Sequence, residues 1–135
     1  MTLDEFNKKW ASSNDQELNE WIAVEIMHLE KAAEGWSRKG LLNPQFRPDA
    51  PNFLESPDTI QVLAEIGFNY ELLVHYDIEM DLLCGQIGSK LLTPEKRILY
   101  ECIESTFDRA ACKVSLMLAL HLDCLVDEFV DSKTY

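Results

Sequence analysis

Apolar residues recur at intervals of three and four along most of the chain, and that period predicts helices. Thr2 with Glu5 makes a capping-box pattern, so a first short helix is expected over Leu3 to Trp10. Ser13, Asn14 and Asp15 offer a second start, followed by one apolar stripe through Leu18, Trp21, Ile22, Ile26, Leu29 and Ala33. Gly35 reads as the residue that ends it. Ser56-Pro57-Asp58 sets an N-cap, an N1 proline and a first-turn acid in order, opening a helix through Ile60, Leu63 and Ala64 that stops near Gly67. Phe68 to Cys84 continues in helical phase through Leu72, Leu73, Tyr76, Met80 and Leu83, with Gly85 and Gly88 beyond it. Thr93-Pro94-Glu95 repeats the start signal and opens a last helical stretch to about Asp131, which reads either as one long helix or as two with a kink or break near Ser105-Thr106, where Asp108 completes another capping pattern.

Between these, residues 36–56 keep no period. Gly40, Pro44, Pro48 and Pro51 punctuate a segment carrying Arg38, Lys39 and Arg47, which reads as a loop of about twenty residues. Trp36, Leu41, Leu42, Phe46, Phe53 and Leu54 would pin it to the body. No segment alternates strongly enough to read as a strand. The expected fold is therefore all-α: a single domain over 1–135, a compact bundle of five or six helices with one long Pro-containing loop at about residues 36–56. Val114 to Val126 is apolar nearly all round, which places it at the centre of the bundle or, as the alternative, in a homodimer seam.

Composition agrees with a folded chain, since 47% of residues are hydrophobic and 10% aromatic. Charge changes the picture more. There are 24 acidic against 12 basic residues, a net charge of −12. Such a surface repels nucleic acid and anionic membranes and attracts basic proteins at low salt. The first ten residues are polar and carry the acids Asp4 and Glu5 where a signal peptide is basic and then apolar. The run from Val114 to Val126 is interrupted by Ser115, His121 and Asp123 and falls short of the roughly 20 residues a membrane helix needs. Cys84, Cys102, Cys112 and Cys124 form no CxxC, so they read as reduced thiols and the expected compartment is the cytoplasm.

Candidate chemistry is sparse. Glu25-x-x-His28 has the spacing of a di-iron ligand pair, but no second ExxH exists to complete such a centre. His28, His75 and His121 fall on three predicted helices and could meet only by tertiary accident. Glu101-x-x-Glu104 and Glu128-x-x-Asp131, with 23 residues between them, look like the ExxE…ExxD pattern of the all-α nucleoside triphosphate pyrophosphohydrolases. That resemblance covers only the last third of the chain. It implies four carboxylates on two helices holding Mg²⁺ against a triphosphate. On one unbroken helix the two pairs would lie roughly 40 Å apart at 1.5 Å per residue, and no basic residues cluster nearby to receive phosphates. No GxSxG or Gly-rich phosphate loop occurs, so neither a catalytic residue nor a metal or other cofactor is expected.

The distribution of acids is the better signal. In helical phase Asp123, Asp127 and Asp131 form one ridge with Glu128 beside it, Asp77 pairs with Asp81, and Glu104 with Asp108. Like charges at i, i+4 repel, and the segment 61–93 sets Glu65, Glu71, Asp77, Glu79 and Asp81 against Lys90 alone. The candidate contact residues are thus Asp77, Glu79, Asp81, Asp123, Asp127, Glu128 and Asp131. The expected function is a non-enzymatic binding protein that neutralises or inhibits a basic partner protein, as an immunity protein, an antitoxin or a phage-encoded inhibitor of a host defence complex does. The alternatives are a metal-dependent nucleotide pyrophosphohydrolase and a helical homodimeric scaffold.

Overall fold

A computed structural model describes residues 1–38, 40, 42, 45–69, 75–81, 86–93 and 95–123. Helix α1 (Leu3–Ser12) begins where the capping pattern set it, with the Thr2 hydroxyl oxygen accepting the Glu5 N–H at 3.2 Å. Helix α2 (Asp15–Glu25) opens on a reciprocal box: Asn14 Oδ1 accepts the Glu17 N–H at 2.8 Å, and Glu17 accepts the Asn14 N–H at 3.0 Å. Both caps satisfy backbone donors that would otherwise be orphaned at the helix start. The two helices contribute Phe6, Trp10, Leu18, Trp21 and Ile22 to one buried core cluster, with the Phe6 ring 5.3 Å from Trp21 and 6.1 Å from Trp10.

Beyond Glu25 the helical expectation fails. Ile26 is the C-cap, His28 takes a left-handed φ of 54°, and the chain turns into a hairpin of β1 (Leu29–Ala32) and β2 (Gly35–Arg38). Leu29 and Ala33 continue the three-four spacing of α2 by coincidence. Gly35, read as a helix end, instead follows a two-residue turn at φ 121°. Part of the long loop is also structured. The Trp36 N–H donates to Arg47 O at 2.7 Å and the Arg47 N–H donates back to Trp36 O at 2.8 Å. Trp36, Phe53 and Leu54 are buried as the pinning argument required, whereas Leu42 and Phe46 are exposed; Lys39, Leu41 and Pro44 lie outside the described residues.

Helix α3 (Asp58–Asn69) runs through Gly67 instead of stopping there. Next comes an antiparallel meander of β3 (His75–Asp81), β4 (Gln86–Leu92) and β5 (Ile98–Glu104), in the order β3-β4-β5. The helix expected over Phe68 to Cys84 is thus overturned at its C-terminal half; Leu72, Leu73, Leu83 and Gly85 lie outside the described residues. Its apolar spacing concealed a second period, for His75 to Asp81 alternates Tyr76, Ile78, Met80 with Asp77, Glu79, Asp81. Thr93 likewise closes a turn, not a helix. Its N–H donates to Arg97 O at 2.8 Å, its hydroxyl oxygen accepts the Arg97 N–H at 3.1 Å, and Lys96 is left-handed at φ 65°.

Of the two readings of the last stretch, the structure takes the interrupted one: α4 (Phe107–Ala119) starts just past Ser105-Thr106, and the Thr106 hydroxyl oxygen accepts the Arg109 N–H at 3.2 Å. It lies across β4 and β5 on one side and meets α3 and α2 on the other. Val114, Leu116, Met117 and Leu118 are buried there because neighbours cover the helix on several sides, which is why its sequence is apolar all round. Tyr100 Oη donates to Leu122 O at 2.6 Å and ties the chain beyond α4 back to the sheet. The expected all-α bundle is therefore wrong. The described residues form a mixed α/β fold of four helices, a two-stranded sheet and a three-stranded sheet.

Candidate docking face

Alternation along the meander sorts its residues onto two faces. Leu91 and Ser89 of β4 pair with Tyr100 and Cys102 of β5, and these lie beneath α4, where the Cys102 thiol donates to Ala110 O at 3.3 Å. The intervening residues belong to the opposite face. There Lys90 pairs with Glu101 and Gly88 with Ile103; Glu101 is exposed and Ile103 keeps 62% of its surface in solvent. The β3 register completes this face: Asp77 stands opposite Lys90, Glu79 opposite Gly88, and Asp81 opposite Gln86. Three acids therefore occupy one row at about 6.6–6.8 Å spacing along the strand. Glu101 and Ile103 occupy the parallel row two strands away, with Lys90 between.

This grouping differs from the ridge read in helical phase. A helix joined Asp77 to Asp81 and turned Glu79 away, whereas a strand puts all three at positions of one face. Asp123 is exposed but lies past the end of α4 and past His121 at φ 52°, so α4 does not carry it. Asp127, Glu128 and Asp131 lie outside the described residues. Sequence reading missed Glu101 and Ile103 as members of the face, since their neighbours come through pairing with β4.

Several other carboxylates are drawn into internal contacts. Glu104 accepts the Trp10 indole N–H at 2.5 Å and stands 3.9 Å from Lys113 Nζ, on the covered side of β5. Asp108 accepts the Ser56 hydroxyl at 2.9 Å, and Arg109 pairs with Asp15 at 2.8 Å. Glu104 and Asp108 thus form no ridge. Glu101 and Glu104 lie on opposite faces of a strand, not on one face of a helix, which removes the first half of the pyrophosphohydrolase-like pattern. Glu25 ends α2, His28 and His121 are exposed in turns, and His75 begins β3. Among the described residues no three His, Cys, Asp or Glu side chains form a metal-binding group.

Two thiols, one half-buried and one buried, belong to the core region. Burial pushes Cys102 up to about 12, with Lys113 opposing and Glu104 adding to the shift. Burial likewise raises Cys112 to about 12, reinforced by Asp108 and opposed by Arg109. Both are free cysteines held protonated, a state poor in nucleophilicity.

No known protein family, curated protein or solved structure matches the chain. Among the described residues no helix is long and apolar enough to cross a membrane.

Proposed function

We propose that the protein is a non-enzymatic acidic docking protein that captures a basic partner protein on the outer face of its three-stranded sheet and thereby neutralises or inhibits it. The supporting observation is the register that sets Asp77, Glu79 and Asp81 on the face where Glu101 and Ile103 are exposed. Among the described residues four acids share that face with one lysine, in a chain of net charge −12. Like charges on neighbouring positions of a sheet face destabilise it, so a sequence shaped by folding alone would intersperse lysines. Lysines or arginines supplied by a partner would relieve that repulsion and be steered to it over a Debye length of about 8 Å. An immunity protein, an antitoxin or a phage-encoded inhibitor of a defence complex would fit this reading. Asp123, Asp127, Glu128 and Asp131 are proposed as a second acidic contact. A cytoplasmic location goes with the reading, because free thiols such as half-buried Cys102 and buried Cys112 suit a reducing compartment.

The test is charge reversal. Wild type and the double variant Asp77→Lys, Asp81→Lys serve as immobilised bait in a lysate, and the retained proteins are identified by mass spectrometry. Basic proteins held by the wild type should be released as salt rises and should be missing from the variant. With a purified partner, association should slow with salt far more than dissociation changes. An affinity flat from low to high salt would refute the proposal. So would Mg²⁺-dependent nucleotide hydrolysis that is lost on Glu101→Ala.

A further inference from the structure

We draw no further inference here: the strongest candidate, the acidic face of the three-stranded sheet around exposed Ile103, is the surface already proposed for docking, and nothing in the structure shows what covers it.

Discussion

Replacing Gly35 by alanine separates two costs that a hairpin glycine can carry. Its φ of 121° lies where side-chain-bearing residues pay about 1–3 kcal/mol. A Cβ there would also stand 2.3 Å from Arg47 O and 2.9 Å from Arg47 C, both rigid backbone atoms. Carbon atoms in contact sit about 3.5–4.0 Å apart, so the 47 segment must withdraw by about an ångström. That movement breaks the two hydrogen bonds between Trp36 and Arg47, worth about 1 kcal/mol each. The whole loss should reach about 3–5 kcal/mol, a large part of the stability of a domain this size. Gly40 supplies the control. It also has a positive φ, 81°, but a Cβ there meets nothing within 4 Å. Gly40→Ala should therefore cost only the backbone part, about 1–2 kcal/mol. Urea unfolding followed by far-UV circular dichroism measures both. Tryptophan emission of folded Gly35→Ala should shift to the red as buried Trp36 gains water. Equal losses in the two variants would show that Gly35 does not serve the Arg47 contact, and the reasoning would fail.

Leu118 is fully buried in α4, so Leu118→Ala should cost about 2–5 kcal/mol in the same assay, and a loss below 1 kcal/mol would contradict its central position. The Ser89 hydroxyl is buried between sheet and helix with no hydrogen-bond partner among the described residues, so Ser89→Ala should be neutral or raise stability by about 1 kcal/mol; a clear loss would reveal a bond to that oxygen. Cys102 and Cys112 should alkylate far more slowly in the native protein than in urea at pH 8, resolved site by site by peptide mass spectrometry. Because the fold raises both thiols from 9.0 to about 12, the unfolded chain releases those protons first. Their contribution to stability is therefore whole below pH 9 and is lost as pH climbs toward 12. Equal alkylation in native and unfolded protein would remove both expectations.

What could be read from residues alone was whatever neighbouring residues decide. Thr2, Asn14 and Thr106 cap their helices through residues three positions away, and the sequence holds both members of each pair. The strands escaped because their spacing satisfies two periods. Tyr76 and Met80 are four apart, which suits a helix face and equally a strand face. Only pairing with β4 decides between them, and β4 begins five residues after β3 ends. The helix start read at Thr93 failed for a related reason: a threonine that accepts backbone hydrogen bonds serves a turn as well as a cap. For the acidic face, local density pointed to Asp77, Glu79 and Asp81. Their common side, and the company of Glu101 and Ile103, depend on a register that no single segment encodes.

The contact between Trp10 and Glu104 spans 94 residues of chain, as does that between Asp15 and Arg109. During synthesis the two N-terminal helices therefore emerge long before the partners that fix them to the rest of the protein. At ribosomal rates of about 5–20 residues per second, α1 waits several seconds with its apolar stripe uncovered. Contacts this distant also slow folding, because a long loop must close before any of them forms. Over that interval the nascent chain carries a large excess of carboxylates, and mutual repulsion between such chains opposes aggregation. The same charge proposed to steer a partner would thus shelter the half-made protein until β5 and α4 arrive.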